Sequence, residues 1–216
     1  MIGKSYIQRL GELPAAQRWM IGVLAVALAL ASIDPPYPET SWLHHAPTLA
    51  LVIAAPWLLA RWRLSNAAVA SILLFWLLHT LGGRYTYSNV PYDEWATSLT
   101  GHDLSGLLGA TRNHYDRLVH FAFGALATRP VMELCGRRRW HGAAIALGFV
   151  LAGGAAYEIF EWLLTLVAAG PQADAYNGQQ GDIWDAQKDM ALAAIGCLAA
   201  AALSPGMIRG NRATGY

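Results

Sequence analysis

Apolar residues dominate six stretches of this chain, roughly 17–33, 45–60, 64–81, 114–134, 141–168 and 185–204, separated by short polar joints. Most approach the ~20 residues that a helix rising 1.5 Å per residue needs to cross the bilayer's hydrocarbon core. The second is short and holds Pro47 and Pro56, which predicts a kink or tilt. The fifth is long and carries Gly148, Gly153 and Gly154, small residues that let a neighbouring helix come close. The first follows Lys4, Arg9 and Arg18, as the core of a signal peptide would. Five more spans come after it and no small-x-small cleavage site opens a soluble stretch, so it reads as retained. The pattern predicts an all-α fold, a polytopic membrane helix bundle of about six transmembrane helices. A cytoplasmic N-terminal segment (1–16) would precede the six-span membrane domain (17–204), and a cytoplasmic C-terminal tail (205–216) would follow it.

The pattern changes between the third and fourth spans. Residues 82–113 include YTYSNVPYDEW, with Tyr85, Tyr87, Tyr92 and Trp95, then Leu99, Leu104, Leu107 and Leu108. Such a segment lies in the membrane interface, as an aromatic belt or as a lid above a site.

Composition sharpens this picture. The 216 residues are 55% hydrophobic and 13% charged, against roughly a quarter charged in an average soluble domain. A disordered chain is excluded and an ordinary soluble enzyme fits poorly. Nine Trp and nine Tyr suit a protein anchored at two membrane–water interfaces. A net charge of +1 leaves no basic stripe for nucleic acid. Cys135 and Cys197 lack CxxC spacing and read as packing residues. The joints also set an orientation. The side holding both termini carries 11 of the 15 Lys and Arg and only Glu12 and Glu133 among the acids. Cytoplasmic loops carry the Lys/Arg excess, so both termini are expected in the cytoplasm.

Ionisable residues inside a bilayer are costly and need a reason. Here four spans deliver them to one depth. His79 ends the third span, and Asp116 and His120 share a face (i, i+4) where the fourth begins. Glu158 and Glu161 (i, i+3) sit near the outer end of the fifth, and Asp182, Asp185 and Asp189 line one face at the start of the sixth. Six carboxylates therefore gather near Arg112, Arg117 and Lys188, with Arg84 within possible reach. That negative excess in low dielectric calls for raised carboxyl pKa values or a bound cation. Oxygen ligands with one or two imidazoles suit Mn²⁺, Mg²⁺, Fe²⁺ or Zn²⁺. The candidate metal ligands are His79, Asp116, His120, Glu158, Asp182, Asp185 and Asp189.

Plainer readings stand beside these. His79 also fits an interfacial histidine, and Asp116 with His120 a hydrogen-bonded pair without metal. Lys188 also fits a structural partner for Asp185 or Asp189, and Asp182 a helix cap. His44, His45, His102 and His141 receive no role.

The runs HTLGGRYTYSNVP, RNHYDRLVHFAFG, YEIFEW and YNGQQGDIWDAQKDM together resemble the bacterial inner-membrane YjdF family, over roughly residues 35–205. More distantly the chain is similar to the VanZ-like family. That family's acid–base pair followed by His-Phe is matched by Asp116, Arg117, His120 and Phe121. Its Glu-x-x-Gln is matched by Glu158 with Glu161 in place of Gln, and its Asp-x-x-Asp-x-x-x-Asn by Asp182 and Asp185 with Asp189 in place of Asn. The VanZ-like resemblance implies an association with the cell envelope. Neither resemblance implies a particular reaction.

Three functions fit the pattern. The first is a metal-dependent hydrolase or transferase acting on an envelope lipid or lipid-linked substrate, since the cluster lies near the headgroup boundary. Glu161, Lys188 and Arg117 would then serve the chemistry, and Arg112, Arg84, Tyr87 and His114 would bind substrate. The second is a proton- or cation-coupled transporter, whose six spans would call for a homo-oligomer. The third is a non-catalytic scaffold locked by the polar cluster.

Overall fold

The computed structural model describes residues 3–136, 139–167 and 177–203 of the chain. The expected tail at 205–216 and the first two residues of the N-terminal segment lie outside them. Among the described residues the secondary structure is helical, and nine helices follow one another. They are α1 (Tyr6–Gly11), α2 (Ala15–Ala31), α3 (Pro38–Trp62), α4 (Asn66–Arg84), α5 (Tyr92–Thr100), α6 (Leu104–Leu108), α7 (Tyr115–Cys135), α8 (Arg139–Val167) and α9 (Asp185–Leu203).

The six apolar runs correspond to α2, α3, α4, α7, α8 and α9, but they are not equivalent. Four segments are long and apolar enough to cross a membrane: Pro38–Trp62, Asn66–Arg84, Trp140–Val167 and Asp185–Leu203. The helix α2 is apolar but only 17 residues long, about 25 Å at 1.5 Å per residue. The helix α7 has 21 residues but carries Asp116, Arg117, Arg129 and Glu133. It is the central helix, packed against α4, α8 and α9, so its polar groups face protein on several sides.

The helix α3 starts earlier than the hydrophobic pattern predicts and runs unbroken through Pro47 and Pro56 for 25 residues. Its first half is polar, with Thr40, Ser41, His44, His45 and Thr48 all buried. A polar face turned inward does not register as an apolar run.

The closest helix crossing joins α7 to α9. A Cβ on Gly124 would stand 1.8 Å from the Ala193 carbonyl oxygen, and one on Gly196 would stand 2.2 Å from the Phe121 carbonyl oxygen. No side chain can yield there, because the obstacles are backbone. The glycines of the fifth run do less: Gly153 meets the end of the Phe123 ring at 3.0 Å, Gly154 meets Met190, and Gly148 meets nothing. Below the crossing, Met132, Ala146, Val150, Ala193 and the free, buried Cys197 form one core. A second core joins α2, α3 and α4 through Ile21, Ala55, Leu59, Ala68 and Val69.

Between α4 and α7 the chain makes a turn and the short helices α5 and α6. Leu99, Leu107 and Leu108 are exposed there, as expected of a segment lying in an interface. The segment is tied down at Tyr92, whose hydroxyl meets Ser105 Oγ at 3.2 Å and accepts from the His114 backbone N–H at 3.0 Å.

Candidate functional site

The α7–α9 crossing brings two acid-bearing faces together, and α8 adds a third. Asp116, His120 and Asp189 are all buried, and one ligand atom from each lies within 4.8 Å of the others. His120 Nε2 stands 3.6 Å from Asp116 Oδ1 and 3.8 Å from Glu158 Oε1. Both distances exceed a normal hydrogen bond, so the imidazole is surrounded by carboxylates without being tightly bonded to them. Asp189 is 2% exposed and its Oδ1 has no hydrogen-bond partner among the described residues; the same holds for Glu158 Oε1. Glu161, one turn on from Glu158, lies within electrostatic reach of Asp116, Glu158 and Asp189.

Further polar atoms of the same kind border this group. Asn177 is buried with Oδ1 unpaired among the described residues, while its Nδ2 donates to the Glu161 carbonyl at 3.3 Å. Ser88 Oγ is also unpaired. Gly178 joins them, because a Cβ there would meet Ser88 Oγ at 3.0 Å and Asp116 Oδ2 at 3.8 Å. Its φ of +69° suits glycine as well. Ser88 is carried by a turn in which Thr86 (φ 54°) and Tyr87 (φ 55°) are both left-handed, an arrangement that costs a β-branched residue strain.

Above this group lies a layer of ion pairs. Arg112 Nη1 donates to Asp185 Oδ1 at 2.6 Å and stands 3.7 Å from Asp182 Oδ2. Arg117 Nη2 meets Asp182 Oδ2 at 2.5 Å and lies 3.5 Å from Asp185 Oδ1, and Lys188 Nζ donates to Asp182 Oδ2 at 2.6 Å. Arg112 also donates to the carbonyls of Gly178 (3.0 Å) and Gln179 (3.1 Å). Gln180 and Asn113 exchange side-chain-to-backbone bonds at 2.9 and 3.0 Å. His114 lies at the edge, its Nδ1 3.4 Å from Arg117 Nη1. The hydrogen bond from Lys188, with those from the Trp184 backbone and Arg117, pulls the Asp182 carboxyl down to about 2.

Three cations thus answer two carboxylates in the outer layer. Among the described residues the deeper acids Asp116, Glu158, Glu161 and Asp189 make no direct ion pair with these cations, and the imidazole of His120 lies close to Asp116, Glu158 and Asp189. Asp182 and Asp185, expected as ligands, have oxygens committed to Arg112, Arg117 and Lys188, and neither joins the Asp116–His120–Asp189 group. Lys188 pairs with Asp182 rather than with Asp185 or Asp189, and Asp182 Oδ1 accepts from the Trp184 backbone N–H at 3.1 Å, just ahead of α9.

Three expected site residues, His79, Tyr87 and Arg84, lie elsewhere. His79 is buried with both ring nitrogens engaged, Nε2 on the His44 carbonyl at 2.9 Å and Nδ1 on the Tyr87 hydroxyl. Arg84 donates to the carbonyls of Ala31 (3.0 Å), Ile33 (2.7 Å) and Asp34 (3.2 Å), clamping the chain where α2 ends. The reason is azimuth. Helix rise places His79 at a suitable depth, but its face of α4 meets α3 rather than the acids.

With this geometry in place, comparison with known proteins is informative. A family model described as "Predicted membrane protein (DUF2238)" matches residues 16–209. The chain belongs to this family. Inner membrane protein YjdF of Escherichia coli (strain K12) is 34% identical to it over 170 residues, 75% of this chain and 76% of that protein. No solved structure matches. The DUF2238 match contains every residue of the carboxylate–histidine group and of the ion-pair layer. The VanZ-like resemblance rests on the motif residues alone.

Proposed function

We propose that the DUF2238 chain is a metal-dependent hydrolase or transferase of an envelope lipid or lipid-linked substrate, its divalent ion held by Asp116, His120 and Asp189 with Glu158 beside them. The observation that carries this reading is the set of buried, unpaired acceptor oxygens on Asp189 and Glu158 around one imidazole. A buried carboxylate oxygen without a donor is costly, and a cation removes that cost. The donor set fits such an ion. Three ligands at about 2.0–2.2 Å from one ion stand about 3.5 Å apart, so a spread within 4.8 Å closes if each ligand atom moves inward by up to about 0.7 Å. Oxygen with a single imidazole nitrogen matches Mn²⁺, Fe²⁺, Mg²⁺ or Zn²⁺.

When bound, such an ion supplies Lewis-acid polarisation of a phosphoryl or acyl oxygen. The chain's own residues provide the rest. In this reading Glu161 or Glu158 holds a proton at a carboxylate oxygen. Arg117 Nε is buried without a partner among the described residues and offers a donor to an anionic headgroup. The ion-pair layer, with three cations on two acids, favours an anion arriving from that side. Asp116 and Asp185 stand at the very starts of α7 and α9, the depth at which a lipid's headgroup linkage lies.

The test is metal analysis of detergent-purified protein after loading with Mn²⁺ or Zn²⁺ and gel filtration. Wild type is expected to retain about one ion per chain, and Asp189→Asn and Glu158→Gln to retain at least ten-fold less. No retained ion in wild type, with both variants as heat-stable as the parent, overturns the reading and leaves a scaffold. Proton or cation flux in liposomes, abolished by Asp189→Asn, overturns it in favour of a transporter.

A further inference from the structure

At the opposite end of the bundle α2, α3, α4 and α7, with Phe149 of α8, enclose a cavity of about 530 Å³. Its wall contains no charged side chain; Leu59, Trp62, Ile72, Phe75, Phe123 and Ala127 are typical. Along α7 it reaches from Phe123 to Cys135, about 18 Å at 1.5 Å per residue. One leaflet is about 15 Å of hydrocarbon, half of a ~30 Å core. Phe123 caps one end, its ring 5.5 Å from Phe75 and 6.4 Å from Phe149. His120 lies one turn beyond Phe123 on α7 and is not part of the cavity wall.

That other end is basic. Arg61 and Arg63 are exposed and flank Trp62 in the sequence, and Arg18 and Arg129 lie within two residues of Met20 and Pro130 of the wall. The nearby acid Glu133 is already engaged by Ser65 and Arg129. Arg61 and Arg63 make no side-chain hydrogen bond or ion pair among the described residues. Trp62, half exposed and lining the cavity, is the residue type that sits at headgroup level. A leaflet-length apolar slot opening beneath unpaired arginines has the chemistry of a basic lipid pocket between helices.

We infer that this cavity binds one acyl chain of an anionic glycerophospholipid from the leaflet at the arginine-bearing end, with Arg61 and Arg63 on its phosphate. The site is separate from the carboxylate–histidine group and does not depend on the ion.

The experiment is native mass spectrometry of the full chain. Protein is delipidated in detergent, incubated with dipalmitoyl phosphatidylglycerol or dipalmitoyl phosphatidylethanolamine, and washed. One phosphatidylglycerol per chain is expected, retained at least ten-fold better than phosphatidylethanolamine. Ala127→Phe, which fills the slot, is expected to cut retention about ten-fold. Arg61→Gln with Arg63→Gln is expected to erase the headgroup preference. Equal retention of both lipids by wild type, or undiminished retention by a folded Ala127→Phe, overturns the inference. If Ala127→Phe does not fold, phosphatidylglycerols of increasing chain length on wild type decide. Retention climbing with length up to a leaflet-long chain supports the site, and a flat series overturns it.

Discussion

Two buried histidines make the most instructive contrast in this molecule. His79, between α3 and α4, has a partner on each ring nitrogen, the His44 carbonyl and the Tyr87 hydroxyl. His120, between α7, α8 and α9, has carboxylate oxygens at 3.6 and 3.8 Å, and the acids around it include unpaired oxygens. Burial is the same in kind and the consequence is opposite. A polar group whose hydrogen bonds are complete holds helices together, whereas one left incomplete after folding calls for an explanation, such as water, strain or a bound ion. Sequence alone puts both among the candidate metal ligands, with an interfacial role as the plainer reading of His79 and a hydrogen-bonded pair as that of Asp116 with His120.

The contrast breaks most severely at the α7–α9 crossing, which assembles the His120 region and leaves the His79 region alone. Gly124→Ala drives a Cβ to 1.8 Å from the Ala193 carbonyl, which only a shift of α9 can relieve, at a cost above about 3 kcal/mol. The expected outcome is a large fall in thermal midpoint in detergent together with loss of the retained ion. The matched control is Gly22→Ala on α2, where nothing lies within 4 Å of the new methyl. It should be stabilising by about 0.4–1 kcal/mol. Equal midpoints for the two variants would remove the crossing from the account.

How much of this could be read in advance follows from what periodicity encodes. Helix rise and i, i+3 or i, i+4 spacing put Asp116, His120, Glu158 and Asp189 at one depth, and the fold brings them together. The same rules say nothing about which neighbour a face meets, so depth alone groups His79 with the acids, and sequence proximity cannot show that Arg84 turns to α2 instead. Charge counting saw an excess of acids but not its division, in which Arg112, Arg117 and Lys188 are drawn to Asp182 and Asp185. The polar start of α3 escaped because inward-facing His44 and Thr48 break an apolar run. Ser88, Asn177 and Gly178 sit in turns whose path only tertiary contacts decide. Gly124 and Gly196 carried a visible signal, small residues inside apolar helices, but the fifth run's glycines carried the same one with less result.

A smaller change sharpens the contrast from the satisfied side. Tyr87→Phe keeps the ring against His44, at a centroid distance of 5.1 Å, and removes the hydroxyl from His79 Nδ1. An orphaned buried nitrogen costs about 1–2 kcal/mol. A modest drop in thermal midpoint is expected, with the ion content unchanged. A loss of ion on Tyr87→Phe would mean that the two histidine regions are one site after all.

The smallest effect concerns pH and separates the ion-pair layer from the acids beneath it. The Asp182 carboxyl is held at about 2 by Lys188, the Trp184 backbone and Arg117, below the ordinary aspartate value of about 3.9. A folded-state value below the unfolded one means that Asp182 stabilises fully above about pH 4, and that this contribution disappears as pH falls through about 2. The difference in thermal midpoint between wild type and Asp182→Asn should therefore stay constant from pH 7 to about 5 and close by about pH 2. A metal held by Asp116, His120 and Asp189 competes with protons for those same ligands, so it should be released at higher pH than that. Acidification would then strip the ion while the layer above remains paired, an order that a single undivided acidic cluster would not produce.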